Sequence, residues 1–139
     1  MFLKKLDIYA PYTVQRTIGS ELNDEATAKD HWAVFYRTAT GSEPVREWLR
    51  ELDVEDRRII GTDIRTVEFG WPIGMPVCSP MGNGLFEERS TVMGKRAARV
   101  LFRIHEGAMV LLHGFIKKTR KTSDAELAVA LRRKGEIGR

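Results

Sequence analysis

Apolar residues recur with two different periods along this chain, and the change of period divides it. In His31-Trp32-Ala33-Val34-Phe35-Tyr36-Arg37, aromatic and β-branched residues favour a pleated, half-buried strand. Alternation sends Trp32, Val34 and Tyr36 to one face and Phe35 to the other. Val45, Trp48, Leu49 and Leu52 then follow i, i+3, i+4, i+7, the stripe of an amphipathic helix. Ser42 is placed to cap it, and Pro44 stands in the first turn, where a missing N–H costs nothing. Asp53 stops this helix and starts another, with Ile59, Ile60, Ile64 and Val67 on its stripe and Gly70-Trp71-Pro72 at its end. Two such helices on a short link predict an antiparallel pair.

Residues 74–84 hold Pro76, Pro80, Gly82 and Gly84 and read as a loop. Beyond them the period becomes two. Strands are expected at Leu85–Arg89, Arg99–His105 and Met109–Ile116, with a basic turn over Val92–Ala97 and a tight turn at Glu106-Gly107. Short connections between successive strands imply an antiparallel meander. Ser123 and Glu126 have capping-box spacing ahead of a last helix, with Leu127, Ala130 and Leu131 buried and Arg132, Arg133 and Lys134 against its C-terminal dipole. The expected fold is α+β: a small antiparallel sheet packed against two N-terminal helices, with a C-terminal helix. Residues 1–31, with a polar stretch Glu21–Asp30, read as an N-terminal extension to a domain spanning 32–139.

Composition narrows the class. A chain of 139 residues, 42% apolar and 30% charged, is one globular domain with a real core. No apolar run approaches the roughly 18 residues of a membrane span, and the first residues lack a signal-peptide pattern, so a cytoplasmic protein is expected. The single Cys78 excludes an intrachain disulfide and a multi-cysteine zinc site. His31, His105 and His113 lack ligand spacing, so neither metal nor cofactor is expected. P-loop and dinucleotide fingerprints are missing.

Charge adds direction. The net +4 is uneven: residues 1–84 hold 10 basic and 13 acidic residues, residues 85–139 hold 13 and 6. Between Arg89 and Lys121, 9 basic residues face Glu106 alone. Such a concentration fits either a solvated cationic face or a phosphate-rich partner. Lys117, Lys118, Arg120 and Lys121 cluster where the last strand ends. Arg99 opens the neighbouring strand and Arg89 closes the one before, so a meander can bring these ends onto one face. His113, inside an apolar strand, is an acid–base candidate, although such histidines more often serve as hydrogen-bonded core residues. Trp32, Trp48 and Trp71 read as core, with Trp71, beside a loop, the one placed for base stacking.

The ordered set Leu85-Phe86-Glu87-Glu88-Arg89, Arg99-Val100-Leu101-Phe102 and Leu111-Leu112-His113-Gly114-Phe115-Ile116-Lys117-Lys118-Thr119, followed by a helix with Glu126-Leu127-Ala128, resembles the RelE/HigB toxin superfamily, in particular its phage-derived HigB-like branch. The likeness spans about residues 32–135. It implies the RelE-like fold and the toxin of a type II toxin–antitoxin pair: a metal-independent endoribonuclease, or mRNA interferase, that cuts mRNA on the ribosome and inhibits translation. Its implied partners are the ribosome, mRNA and a helix-turn-helix, HigA-like antitoxin, with operator DNA reached only through that antitoxin. Attack by an RNA 2′-hydroxyl on the adjacent phosphate needs a base, cations for the developing charge and an acid for the leaving oxygen. The resemblance implies scissile-phosphate binding for Arg99, charge stabilisation for Lys118 and its neighbour Lys117, and phosphate positioning or buttressing for Arg89. Lys95 and Arg96, with Arg120 and Lys121, are implied to hold RNA backbone. The chain departs from RelE in carrying Glu87 and Glu88 where RelE has lysines, and in having no tyrosine after Tyr36. The base therefore stays open among Glu87, His113 and a lysine of depressed pKa. The competing expectation is a non-catalytic RNA- or DNA-binding module, a decayed toxin or phage-derived factor.

Overall fold

A computed structural model of the chain describes residues 31–137. The expected extension at residues 1–31, apart from His31, lies outside the described residues. In chain order the elements are β1 (Trp32–Phe35), α1 (Pro44–Glu51), α2 (Val54–Gly70), β2 (Cys78–Gly82), β3 (Leu85–Val92), a 3-10 turn (Met93–Lys95), β4 (Arg96–His105), β5 (Ala108–Lys117) and α3 (Asp124–Lys134). The fold is α+β, built on a five-stranded sheet of order β1-β5-β4-β3-β2.

The meander holds for β2 to β5, all antiparallel to their neighbours. The sheet as a whole is mixed, because β1 joins the outer edge parallel to β5, with Trp32 opposite Ala108 and Phe35 opposite Leu111. Two helices between β1 and the meander let the chain return in the same direction. Glu68 on α2 accepts the Ala33 N–H at 2.6 Å, which satisfies a donor on β1's open edge.

β2 corrects the expected loop. Pro80 and Gly82 are tolerated because β2 is an edge strand, and the register shifts between them. Asn83 and Gly84 turn the chain into β3 with φ of 56° and 77°. Asn-Gly is a strong hairpin signal, and only residues at ease with positive φ fit both positions. Glu106-Gly107 makes the β4–β5 turn as expected, with φ of 50° and 78°.

The helices sit on one face of the sheet, α1 against β5 and α2 against β3. Their stripes close a core of Val45, Leu49, Ile60, Ile64 and Val67 over Phe35, Val100, Phe102, Met109 and Leu111. Each such side chain contributes about 1.5–3 kcal/mol by leaving water. Ser42 does not cap α1; Glu43 holds that position, and the Ser42 hydroxyl lies 3.0 Å from that of Thr38. The opposite face packs Val34, Tyr36, Leu101, Val110, Leu112 and Phe115 against Ala130 of α3. Leu131, expected on α3's buried stripe, is exposed. Ser123 caps α3, its hydroxyl accepting the Glu126 N–H at 3.3 Å. Among the described residues no helix is long and apolar enough to cross a membrane.

Candidate functional site

Register on the α3 side of the sheet sets the site. Directly opposed residues share a face. Arg89, Arg99 and Phe115 form one rank across β3, β4 and β5, with Glu87, Leu101 and His113 in the next rank. On the other side of the arginines, Thr91, Ala97 and Lys117 form a third. The structure therefore brings Arg89, Arg99, His113 and Lys117 onto one face.

Like charges directly opposite on a sheet repel, and Arg89 faces Arg99. Glu87 answers that repulsion. It is buried, with Oε1 at 3.6 Å from Arg99 Nε and 4.0 Å from Arg89 Nη1. Its other oxygen accepts the Thr122 hydroxyl. Arg99 is 7% exposed and its Nη1 donates to the Ala98 carbonyl at 2.9 Å. Burial first, and Arg89 second, lower the affinity of this guanidinium for its proton. Among the described residues Arg99 Nη2 has no protein partner and is the nitrogen left for a ligand. The Arg89 guanidinium also reaches the Met75 sulfur, 3.6 Å from Nη1.

Thr122 belongs to the segment joining β5 to α3. Its bond to Glu87 on β3 draws this basic segment across the face toward the arginines. Lys118, Arg120 and Lys121 are exposed along it. Lys117 Nζ donates to the Arg120 carbonyl at 2.5 Å, which folds the segment into a compact turn. Pairing of Ala97 with Lys117 and of Val92 with Arg96 puts the β3–β4 turn at the same end of the sheet. Lys95 is exposed there in a left-handed conformation, φ 60°. Arg96 is ion-paired with buried Asp56, which also accepts the Met93 N–H at 3.1 Å. The Arg96 hydrogen bond holds the Asp56 carboxyl below its ordinary range. Arg96 therefore braces the turn, with its guanidinium partly exposed.

His113 is half-buried. Its Nε2 lies 2.5 Å from Glu126 Oε1 on α3, and its ring stacks on Phe115 with centroids 5.4 Å apart. It stands diagonal to Arg99 across β4 and β5, within reach of a ligand that spans both. Two further bonds fasten the C-terminal segment. Arg133 Nη1 donates to the Leu112 carbonyl at 2.7 Å, and the Tyr36 hydroxyl donates to Glu136. Burial, with Glu136 beside it, pushes the Tyr36 hydroxyl up to about 12.

The other face is chemically quiet. Cys78 is buried, and loss of solvent, with Glu88 nearby, pushes its thiol up to about 11, so it stays protonated and unreactive. Trp71, the tryptophan placed by its sequence position for stacking, is packed edge-on to Phe86 and Phe102, at 4.7 and 5.6 Å. Among the described residues no group of three or more His, Cys, Asp or Glu is arranged to hold a metal ion.

The sequence does not single out Thr122 or Glu126, because their roles depend on which loop crosses which strand. The capping spacing of Ser123 and Glu126 was the only local signal there. A protein-family model described as "Phage derived protein Gp49-like (DUF891)" matches residues 47–135, which includes Glu87, Arg89, Arg99, His113, Lys117 and Thr122. No curated protein and no solved structure matches the chain.

Proposed function

The chain belongs to the Gp49-like family of phage-derived proteins, a RelE/HigB-like toxin family of toxin–antitoxin systems, and from this we propose that it is the toxin of a type II pair that cuts mRNA on the ribosome. The observation that carries the reading is the pair Arg89 and Arg99, held by Glu87 under a basic loop. Fixed guanidinium groups in a partly dry site stabilise a pentacoordinate phosphate far more than mobile surface lysines do.

In this reading Arg99 takes the scissile phosphate through Nη2, and Arg89 and Lys117 flank it. Lys118 adds charge from the loop. The 2′-oxygen attacks the phosphorus and the bond to the 5′-oxygen breaks, leaving a cyclic phosphate and a 5′-hydroxyl. His113, oriented by Glu126, is the best-placed group for proton transfer. Glu87, held between two arginines and Thr122, serves to position them and not to accept the proton. Lys95, Arg96, Arg120 and Lys121 hold RNA backbone. A helix-turn-helix antitoxin of the HigA type is the proposed neutralising partner, in the cytoplasm where the ribosomes are.

A second reading has an observation of its own. Arg99 is nearly buried and Glu87 offsets part of the arginine charge, which suits a module that binds RNA without cutting it. A 5′-labelled mRNA incubated with the protein, alone and on programmed ribosomes, separates the two. Cutting confined to ribosomes, and lost in Arg99→Ala and Lys118→Ala, supports the interferase. Salt-dependent RNA binding with no cutting supports the module.

A further inference from the structure

β1 pairs with β5 only as far as Leu111, so beyond it, among the described residues, the outer edge of β5 has no strand beside it. A groove of about 460 Å³ lies along this free edge, between α1 and the start of α3. Trp48 forms one wall, residues 114–119 the floor, and Ser123 and Glu126 the far wall. Gly114 explains the shape. A Cβ there would sit 2.3 Å from Trp48 Cε3, so the indole lies directly on bare backbone. Trp48 is partly buried against the core, and among the described residues it has no aromatic partner and its Nε1 makes no hydrogen bond. Trp71, by contrast, is locked between two phenylalanines.

The rim is cationic. Lys118 lines the groove, is exposed and has no ion pair among the described residues. Arg120 and Lys121 follow it in the same turn. Glu126 is the one acid in the lining, and His113 already engages it. A π face set beside cations is the arrangement that binds an unpaired nucleotide, by stacking the base and neutralising its phosphate. A peptide strand could also pair with a free sheet edge, but the lysines and arginine at the rim favour a polyanion.

We propose that this groove binds one unpaired ribonucleotide, with the base on Trp48 and its phosphate on Lys118. The proposal rests on the RNA reading above. It assigns a nucleotide next to the one held by Arg99, with Lys117 lining both places.

The test uses the full chain, labelled with nitrogen-15, and a short 2′-O-methyl oligoribonucleotide that cannot be cut. The protein has three tryptophans and hence three indole N–H signals; Trp48→Phe assigns the one in the groove. RNA should move the Trp48 signal and leave those of Trp32 and Trp71 in place. An abasic oligonucleotide of equal length should bind more weakly and leave the Trp48 signal still. Trp48→Leu should weaken RNA binding about tenfold, and Trp48→Phe less. A Trp48 signal that stays put at saturating RNA overturns the proposal, as does one moved equally by the abasic chain or only by an acidic peptide. Because the probe is uncleavable, the outcome is separate from the nuclease reading. A protein that cuts mRNA with an unmoved Trp48 refutes the groove alone. One that moves Trp48 and never cuts refutes the nuclease alone.

Discussion

Glu87 and Glu88 are neighbours on β3, yet strand alternation gives them opposite sides of the sheet and opposite chemistry. Glu87 sits between Arg89 and Arg99, where two cations and the Thr122 hydroxyl offset the cost of burying its charge. Glu88 is fully buried under the helices, hydrogen-bonded to Ser90 at 2.6 Å, with its other oxygen unpartnered. Desolvation raises the Glu88 carboxyl well above its ordinary range, and Asp63 nearby is raised too. One glutamate is thus part of a charged site and the other part of a nearly neutral core. Identical residues one position apart acquire different work from direction alone.

Arg99→Ala attacks the charged face where it matters most. Cleavage should fall about 100- to 1,000-fold, the usual effect of losing a preorganised charge donor, while the circular dichroism spectrum keeps its native form. Under α1, Gly114→Ala should cost about 1–3 kcal/mol in urea unfolding, since the added methyl must displace the Trp48 ring.

Glu88→Gln probes the same face more gently. A carboxyl with a raised folded-state pKa favours the fold below its unfolded pKa, and that contribution is lost as pH rises through the folded value. The natural protein should therefore lose stability as pH climbs out of the ordinary carboxylate range, with Asp63 acting in the same sense. The variant, permanently neutral there, should melt higher than the natural protein at about pH 8 and match it near about pH 4. Scans showing no pH-dependent difference would mean that Glu88 is not the titrating group. Lys95→Ala should have the smallest effect. RNA binding should weaken by a similar factor for every sequence, with the salt slope reduced by about 1.

The periodic parts of this fold were legible in the sequence. Val45, Leu49, Ile60, Ile64 and Val67 lie in the core, and Glu106-Gly107 turns the chain as its composition requires. β2 was hidden because prolines and glycines that mark loops are equally at home on an edge strand, though Asn83-Gly84 carried the hairpin signal. The parallel seat of β1 depends on where a long crossover lands, which no local pattern encodes. Local spacing placed Arg89, Arg99 and Lys117 near strand ends and His113 within a strand, and register then put them on one face. The Glu87–Thr122 bond and the Trp48 groove join residues 35 or more positions apart. Only the folded chain brings such partners together.

The asymmetry between the two glutamates gives the most direct test. Ribosome-bound mRNA cleavage would be timed for the natural chain, Glu87→Gln and Glu88→Gln, side by side. Glu88→Gln should cut like the natural chain. Glu87→Gln, which loses the charge between two arginines, should be slower by about tenfold or more, the cost of a misplaced charged hydrogen bond. Equal rates in the two variants, or no cutting by the natural chain itself, would contradict an arginine face built for catalysis.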